Sequence, residues 1–469
     1  MTEPIWKLDA TAQAGMVRRG EVTSRELVEA ALGRAEATRN TINAVASLGA
    51  AQALERADTR ASGPFAGVPV LLKDLLPQPN MPCSFGSRLF AGLGFTPTDH
   101  VPYTQAVLAT GAVPIGKSTT SEFGLLGSTE TAAAGVTRNP WSLQHSAGGS
   151  SGGAAAAVAC GIVPVAHASD GGGSIRIPAA LCGLFGFKPS RGRCGSANPA
   201  PNEFAGLVAD HCLTRSVRDS TTWLACTQRT DASAPYSAID STVEPPSRPL
   251  RIGVLTMSLM GDPPPAAGAG AVETAAALCR DLGHHVESAD SPVGLGPTIS
   301  EGFFTVAAAA MHDLETTMSG MLGRPVSDDE LEPFTWSLIR WFRTLPADAR
   351  ERTRKQLADV AARHLEFQAQ WDVTLCPTVG VTTPPLGFLS PDDPREQLIA
   401  RTEQLAGYTP VHNIAGTPAM SVPLFHDAQG MPVGCHFAAM PGRDSMLLGL
   451  AAQLEHASPW AQRWPALVD

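Results

Sequence analysis

Charged residues are scarce in this sequence. Asp, Glu, Lys and Arg together make up 17% of its 469 residues, below the roughly 25% that is typical of soluble proteins. The formal net charge is −10, and the basic residues form no cluster. Because nucleic acids and anionic membrane surfaces are recognised by concentrated positive charge, we expect neither of them as a partner.

Long apolar runs and targeting signals are also missing. No stretch reaches the roughly 18 apolar residues that a membrane-spanning helix needs, and the N-terminal residues do not resemble a secretory signal peptide. The nine cysteines include no C-x-x-C pair, and His284 and His285 are adjacent rather than one helical turn apart. We therefore predict a cytoplasmic protein with reduced cysteines and no metal site.

Lysine is the scarcest charged residue, with five in the chain: Lys7, Lys73, Lys117, Lys188 and Lys355. Lys73 directly follows the apolar run Val68-Pro-Val-Leu-Leu72. Burial lowers the pKa of a lysine amine, and a lysine of lowered pKa can act as a base. Lys73 is thus a candidate catalytic base, although a surface lysine at the end of a strand would leave the same pattern.

Apolar strand patterns alternate with helical patterns along much of the chain. Residues 9–46 predict two helices, the second with a capping box from Thr23 and Glu26. Short strands are predicted at 67–74 and 112–115, with a helix at 103–111 between them. Alternation of this kind is typical of an α/β layered domain.

Two further regions do not follow this alternating strand and helix pattern. Residues 228–249 are polar and rich in proline, which predicts a surface linker. Residues 301–368 are predicted to be helical and carry bulky aromatic residues such as Phe303, Trp336 and Trp341. These side chains either pack the helices together or form the wall of a substrate cleft.

Two motifs match known expressions but lack the surrounding structure. Gly111–Ser118 fits the phosphate-loop expression G-x-x-x-x-G-K-S, yet its variable positions are an apolar strand and a helix precedes them. Ser151 is central in a G-x-S-x-G match, but the residues before it, RNPWSLQHSAG, predict a polar loop instead of a buried strand. We predict neither nucleotide binding nor a nucleophile elbow, and no histidine is a clear triad partner.

Two Gly/Ser-rich loops place their serines 24 residues apart, at Ser150 and Ser174, and each loop opens onto a helix pattern. The run Gly171-Gly-Gly-Ser174 offers successive backbone N–H groups, which can hold an oxyanion near a helix start. A serine there attacks a carbonyl only if a base accepts its proton. Lys73 is the best candidate for that base.

The segment GGSSGGAAAAVACGIVPVAHASDGGGSIRIPAALCGLFGFKPSRGR, from Gly148 to Arg193, resembles the signature of the amidase signature family. The resemblance continues in GPFAGVPVLLKDL, GAVPIGKSTTSEFG, VTRNPW, WDVTLCPT and HNIAGTPAMSVPL, so it covers nearly the whole chain. Within the family, it is strongest to the 6-aminohexanoate-cyclic-dimer hydrolase branch.

The resemblance implies one α/β/α domain over residues 1–469, with a large mixed sheet between helical layers and a signature core at about 65–195. It also implies the site. Ser174 would be the nucleophile that forms an acyl-enzyme, and Ser150, after a cis Gly149–Ser150 bond, would relay the proton to Lys73. The other implied residues are an oxyanion hole of Gly171, Gly172, Gly173 and Ser174, and the supporting residues Ser151, Asp170 and Arg176. No cofactor is implied.

Two positions depart from the family pattern. Gly171 stands where the family usually has threonine, which removes a side chain beside the oxyanion hole. His436 stands where a glutamine is usual, so any role of that glutamine is in doubt. Neither departure affects Lys73, Ser150 or Ser174.

The leading hypothesis is therefore a hydrolase of small-molecule amides, linear or cyclic, with esters, aryl amides and carbamates as possible side substrates. The alternative is the glutaminase subunit of a tRNA-dependent amidotransferase, against which stands the lack of a basic tract for tRNA. A catalytically inactive binding protein is disfavoured because the three catalytic candidates are intact. The oligomeric state stays open, with a homodimer among the options.

Overall fold

The structure is a computed structural model that describes residues 4–59, 62–197, 204–292 and 294–468. The extreme ends of the predicted 1–469 domain lie outside the described residues. The α-helices are α1 (Ala10–Arg19), α2 (Ser24–Thr38), α3 (Ala50–Ala57), α4 (Arg88–Leu93), α5 (Pro102–Ala109), α6 (Gly152–Ala159), α7 (Arg176–Cys182), α8 (Val217–Thr227), α9 (Ala266–Asp281), α10 (Gly296–Leu322), α11 (Pro333–Phe342), α12 (Ala349–Gln368), α13 (Arg395–Leu405), α14 (Pro410–Ile414) and α15 (Asp444–Ala457). Short 3-10 helices span Ile5–Lys7, Glu122–Gly124, Ala205–Leu207 and Ala466–Val468.

The strands are β1 (Val45–Leu48), β2 (Pro69–Lys73), β3 (Val113–Ser118), β4 (Glu130–Thr131), β5 (Gly135–Val136), β6 (Arg138–Asn139), β7 (Ser142–Ser146), β8 (Val165–Asp170), β9 (Phe185–Lys188), β10 (Ala209–Thr214), β11 (Arg251–Leu255), β12 (His285–Ala289), β13 (Val373–Pro377), β14 (Ala419–His426) and β15 (Pro432–Ala438). Eleven of them form one sheet in the order β1-β3-β2-β8-β10-β9-β14-β15-β13-β11-β12. The pairs β4–β5 and β6–β7 form two small separate ribbons.

The large sheet is mixed. Strand β2 runs parallel to both β3 and β8, and β11 runs parallel to both β12 and β13. The remaining neighbours, including β10 beside β8 and β14 beside β15, are antiparallel. The predicted mixed central sheet is confirmed.

Both faces of this sheet are covered by helices. Successive side chains of a strand point to opposite faces, so neighbouring residues of one strand belong to different cores. In β2, Leu71 belongs to a core that includes the buried alanines of α6. Its neighbours Val70 and Leu72 belong to another core, together with Trp223 of α8. Farther along the sheet, the strands β9, β14 and β15 pack against α9 and α15. The predicted α/β class, with helices over a central sheet, is confirmed.

Several local predictions can be compared with the structure. The capping box of α2 is present, since Thr23 Oγ1 accepts from Glu26 N at 3.2 Å and Thr23 N donates to Glu26 Oε2 at 2.8 Å. The strand predicted at 112–115 continues to Ser118 as β3, so the G-K-S letters lie in a buried strand. The segment predicted as a polar loop before Ser150 instead contains the ribbon β6–β7. That ribbon lies outside the large sheet.

Residues 228–249 run in turns and bends between α8 and β11, mostly exposed. Residues 301–368 contain most of α10 and all of α11 and α12. Within the described ranges, no helix combines the length and the apolar character required to cross a bilayer.

Candidate active site

Lys73 is the last residue of β2 and is fully buried. Its Nζ donates to Ser150 Oγ at 2.7 Å, and it also lies 3.0 Å from Ser169 Oγ and 3.4 Å from Ser169 O. Ser169 lies in the neighbouring parallel strand β8, and Ser174 comes four residues after that strand ends. Parallel neighbours end at the same edge of a sheet, which is the usual position of a ligand site in α/β proteins. The topology thus brings Lys73 to the loop that carries Ser174.

Burial lowers the pKa of Lys73 from its ordinary value of 10.5 to about 7, while the carboxylates of Asp210 and Asp170 raise it. Desolvation penalises the charged amine, and the nearby negative charges partly compensate. A lysine of this kind is substantially unprotonated at neutral pH, which is what a base needs.

Burial alone does not single out Lys73, because Lys117 and Lys188 are buried as well. Burial lowers the pKa of Lys188 to about 7, yet its Nζ donates to the backbone carbonyl of Pro189 at 2.9 Å. Lys117 Nζ donates to the carbonyl of Leu76. Lys73 differs from both in its contacts with serine hydroxyls.

Ser150 lies in the loop before α6, and the Gly149–Ser150 peptide bond is cis, as the family resemblance implies. Thr129 holds this loop: its Oγ1 donates to Gly148 O at 2.9 Å and accepts from Gly152 N at 3.1 Å. Ser150 itself is only 1% exposed. The adjacent Ser151 is fully buried, and its hydroxyl donates to Ser169 O at 3.2 Å. Ser151 thus ties the loop before α6 to strand β8.

Ser174 lies between β8 and α7 and is partly exposed. It lines a cavity of about 910 Å³ that Ser150 and Ser169 line as well. Among the hydrogen bonds of the described residues, none joins the hydroxyls of Ser174 and Ser150. The structure therefore contains the Lys73–Ser150 contact and leaves the Ser150–Ser174 contact open.

The glycine loop before Ser174 is anchored by Asp170. The Asp170 carboxylate accepts from the N–H groups of Gly173 at 2.8 Å, Ile175 at 3.1 Å and Arg176 at 3.4 Å. The N–H of Gly173 is thereby engaged inside the loop. The amides that remain for the predicted oxyanion hole are those of Gly171, Gly172 and Ser174.

Glycine is required at position 173. Its φ is +135°, and a Cβ there would lie 2.4 Å from Thr409 Oγ1. That same hydroxyl donates to Gly172 O at 2.6 Å, which fixes the loop from the other side. A larger residue would displace this contact and shift the neighbouring amides.

Arg176 and Asp170 form a buried ion pair beneath this loop. The guanidinium donates to Asp170 through Nε at 2.9 Å and Nη2 at 2.8 Å, and it also reaches Asn413 Oδ1 at 2.8 Å and Thr409 O at 3.0 Å. Burial tends to raise the pKa of Asp170, but Arg176, with help from Lys188 and Asn413, outweighs it, so the pKa lies below the usual range and the carboxyl stays ionised. The pair holds the loop and the helix α7 in one arrangement.

The two departures from the family pattern now have a structural account. His436 Nε2 lies 3.1 Å from Arg176 Nη1 and acts as its acceptor, since burial, with the Arg176 charge, lowers the pKa of His436 well below the usual value. This histidine supplies an acceptor where a glutamine carbonyl is usual. A Cβ at Gly171 would lie 3.5 Å from Val208 Cγ2, an ordinary contact, so the space beside Gly171 admits a side chain.

Two residues that the sequence did not indicate, His167 and Ser169, contact Lys73. The backbone N–H of Lys73 donates to His167 Nδ1 at 3.3 Å. The other ring nitrogen, Nε2, therefore carries the proton and faces Asp210 Oδ1 at 3.2 Å. Burial lowers the pKa of His167, which keeps the ring neutral. His167 and Ser169 are two residues apart in β8 and so share a face of the strand. That spacing was the available signal, but Asp210 comes from the antiparallel neighbour β10.

A second cavity, of about 80 Å³, meets the larger one at Gly124, Gly171, Ser174 and Phe204. Helix α10 lines both cavities, contributing Ile299, Ser300, Phe303 and Phe304 to the smaller and Ala310, Met311 and Leu314 to the larger. The helices α11 and α12 contribute no lining residue to either cavity among the described residues. The cleft-shaping part of the predicted 301–368 region is therefore its first helix, and Trp336 packs in a core.

Acidic, histidine and cysteine side chains do not gather into a metal-binding group anywhere in the part of the chain that the structure describes. All nine cysteines are free thiols.

Comparison with known proteins gives one consistent family. Residues 26–448 match the model of the Amidase family. The chain is 36% identical over 466 residues to the putative amidase AmiC of Mycobacterium tuberculosis (strain ATCC 25618 / H37Rv), covering 97% of this chain and 95% of that protein. It is also 36% identical over 490 residues to the 6-aminohexanoate-cyclic-dimer hydrolase of Paenarthrobacter ureafaciens, covering 99% and 97%.

A solved structure extends the similarity to three dimensions. The structure of a 6-aminohexanoate cyclic dimer hydrolase complexed with substrate superimposes with a TM-score of 0.91, at 33% sequence identity and over 100% of both chains.

Proposed function

The chain belongs to the amidase signature family of hydrolases, which act on amide bonds, and on that basis we propose that it cleaves small-molecule amides with Ser174 as nucleophile, Ser150 as proton relay and Lys73 as base. One observation carries the proposal. A fully buried lysine, whose pKa is lowered to about 7, donates to Ser150 Oγ at 2.7 Å beside the cavity that Ser174 lines.

The first half of the proposed reaction forms an acyl-enzyme. Ser174 Oγ attacks the amide carbonyl carbon, its proton passes to Ser150 Oγ, and the proton of Ser150 passes to Lys73 Nζ. The carbonyl oxygen becomes an oxyanion facing the amides of Gly171, Gly172 and Ser174. When the C–N bond breaks, the leaving nitrogen receives a proton from Ser150, and Lys73 returns one to Ser150.

The second half regenerates the enzyme. Water attacks the Ser174 ester, and its proton follows the same path through Ser150 to Lys73. The tetrahedral intermediate then releases the carboxylic acid, and Ser174 recovers its proton from Ser150. We propose that the Ser150–Ser174 contact closes in the substrate-bound state, since catalytic hydrogen bonds often tighten only there.

The proposed substrates are cyclic and linear amides. The relative named for a cyclic dimer of 6-aminohexanoate favours cyclic amides, and a cavity of about 910 Å³ is at the upper end of the volumes of typical small-molecule sites. Aryl amides belong to the same class, and esters and carbamates, which undergo the same acyl transfer, are proposed as side substrates. The cytoplasmic location stays a prediction.

The test is hydrolysis by the purified chain alone. We expect it to release ammonia from hexanamide and to open a cyclic aminohexanoate dimer without metal, cofactor, ATP or partner protein. Ser174→Ala should abolish both reactions, and Ser151→Ala, which removes a hydroxyl from the loop that carries Ser150, should leave a measurable rate. If amide cleavage requires an added subunit and ATP, the glutaminase alternative replaces this proposal.

A further inference from the structure

The two cavities that meet at Ser174 differ in what they offer a substrate. The smaller is lined mostly by apolar side chains, among them Ile299, Phe303 and Leu405, and Glu403 is the one charged lining residue that the structure describes. The larger is lined by Ser150 and Ser169. Ser150 and Ser169 are absent from the lining of the smaller cavity. The proposed proton relay therefore faces one cavity only.

This asymmetry assigns the two halves of an amide. Breakage of the C–N bond requires a proton on the leaving nitrogen, and the donor must lie within hydrogen-bond reach of that atom. The proposed donor is the Ser150 hydroxyl, which opens into the larger cavity. The leaving amine must then occupy the larger cavity, and the acyl chain extends into the smaller, apolar one.

We propose that the larger cavity is a leaving-group site selective for aromatic amines, with Phe85 and Phe123 as its specificity-determining residues. This inference rests on the proposed function. The chemical class is an N-aryl amide with an apolar acyl chain. In the step concerned, the C–N bond breaks, the nitrogen takes a proton from Ser150, and a neutral arylamine leaves while the acyl group stays on Ser174.

The two phenylalanines are held in an unusual way. Phe85 has a φ of 54° and Phe123 a φ of 50°, a left-handed conformation that bulky residues rarely adopt. The two segments are joined because Phe123 N donates to Phe85 O at 2.8 Å. Both residues line the larger cavity and are partly exposed. A conformation of this kind persists where the surrounding structure fixes it, and it is often found at ligand sites.

Neighbouring contacts place the pair next to the reacting atoms. Gly124, which directly follows Phe123, lies so close to Ser150 that a Cβ on it would be 3.3 Å from Ser150 Oγ. Phe90 packs behind the pair, with ring centroids 4.9 Å from Phe85 and 6.1 Å from Phe123. The exposed parts of the two rings therefore border the site of the leaving nitrogen.

Contacts with sulfur and aliphatic carbon are available from helix α10, which contributes Met311 and Leu314 to the lining of the same cavity. An aromatic ring gains edge-to-face contacts with phenylalanine and favourable contacts with methionine sulfur. A leaving amine with a flat apolar ring fits this lining better than a flexible aliphatic one, which loses more conformational entropy when it is bound.

Charged side chains of the larger cavity are already engaged. Asp210 faces His167 at 3.2 Å, and Arg229 pairs with Asp231 at 2.9 Å. Arg191 donates to the backbone carbonyls of Asn413 and Ile414. A charged leaving group would have to compete with these contacts, whereas a neutral arylamine leaves them intact.

The experiment compares ratios of kcat/KM, so that the intrinsic reactivity of each substrate cancels between variants. N-phenylhexanamide and N-propylhexanamide share an acyl chain, and N-phenylhexanamide and N-phenylacetamide share a leaving group. Phe123→Leu should lower the phenyl-to-propyl ratio about threefold to tenfold and leave the hexanoyl-to-acetyl ratio within about twofold. Phe303→Leu, the matched control in the smaller cavity, should do the reverse.

Either of two results would overturn the inference: a phenyl-to-propyl ratio unchanged in Phe123→Leu, or one that changes in Phe303→Leu instead. Cleavage of hexanamide and N-propylhexanamide with no cleavage of the anilide would refute the inference and leave the proposed function standing. If no amide is cleaved, the proposed function fails, and calorimetric titration with aniline still decides the site. Weaker binding of aniline to Phe123→Leu supports it, and equal binding contradicts it.

Discussion

The protonation state of Lys73 governs the pH dependence that the mechanism predicts. Burial lowers the pKa of Lys73 from 10.5 to about 7, against the opposing effect of Asp210 and Asp170. The neutral amine is the active form of a base, so kcat/KM should rise with pH and level off above the pKa. For a single group with a pKa of about 7, the neutral fraction is about one half at pH 7 and about 1% at pH 5. The expected fall in kcat/KM between pH 9 and pH 5 is therefore roughly 100-fold.

Lys73→Met removes this group while keeping an unbranched side chain of similar length. Loss of a positioned proton-transfer group costs about 10²- to 10⁴-fold in rate, so kcat should fall by that factor and the acidic limb of the profile should disappear. Initial rates with hexanamide between pH 5 and pH 9, at constant ionic strength, measure both effects.

Lys117→Met is the matched control for that experiment. Lys117 is also buried, in the neighbouring strand β3, but its amine bonds to the backbone carbonyl of Leu76. We expect this variant to keep the acidic limb at about pH 7. A flat wild-type profile over this range, or an acidic limb that survives in Lys73→Met, would refute the assignment of Lys73 as base.

Three further predictions follow from the contacts around the site. Asp210→Asn removes a carboxylate that raises the pKa of Lys73, so the acidic limb of the pH–rate profile should move to lower pH; a limb that stays in place or moves upward contradicts this coupling. Gly173→Ala places a Cβ 2.4 Å from Thr409 Oγ1 and should displace the neighbouring amides of Gly172 and Ser174. Because these are proposed oxyanion donors, kcat should fall by about 10²- to 10³-fold, the usual cost of losing such a donor; steady-state kinetics on hexanamide measure this fall, and an unchanged kcat contradicts it. Burial, together with Glu122, raises the pKa of Glu332 from 4.5 to about 8. The unfolded chain therefore releases this proton at lower pH, and the free energy of unfolding should fall as the pH rises from about 4.5 through 8. Glu332→Gln should flatten that decline in urea titrations at pH 5 and pH 8.5, and a decline equal to that of the wild type would reject the assignment.

The family pattern predicted the identity of the site residues, but their proximity depends on the sheet. Lys73 and Ser174 are about 100 residues apart in the chain, and they come to the same edge of the sheet because β2 and β8 are parallel neighbours. Composition and local periodicity carry no information on which strands are neighbours. The resemblance over the signature segment supplied that information indirectly.

Three other features could not be predicted from the sequence, because they depend on contacts between segments that are distant in the chain or on side-chain hydrogen bonds within a loop. The His167–Asp210 contact requires the antiparallel register of β8 and β10, in which Cys212 is opposite His167 and Asp210 is opposite Ser169. The left-handed conformations of Phe85 and Phe123 contradict the local preference of bulky residues and arise from packing between separate loops. The family resemblance implies an oxyanion hole that includes the N–H of Gly173, but the Asp170 side chain, three residues earlier, accepts this N–H.

The hydrogen bond that occupies the Ser151 hydroxyl also depends on tertiary structure. Two adjacent serines share the loop before α6, and local sequence gives them equal standing. The structure separates them because Ser150 faces Lys73 and Ser151 faces the backbone of Ser169. The family resemblance implies the relay role for Ser150 and the supporting role for Ser151, and these contacts support that proposal.

The most direct test of the central claim is covalent labelling of the nucleophile. A fluorophosphonate probe followed by peptide mass spectrometry should place the added mass on Ser174, more slowly in Lys73→Met and not at all in Ser174→Ala. Labelling of Ser151 or Ser150 in the wild type, or undiminished labelling of the chain in Ser174→Ala, would contradict the proposed mechanism.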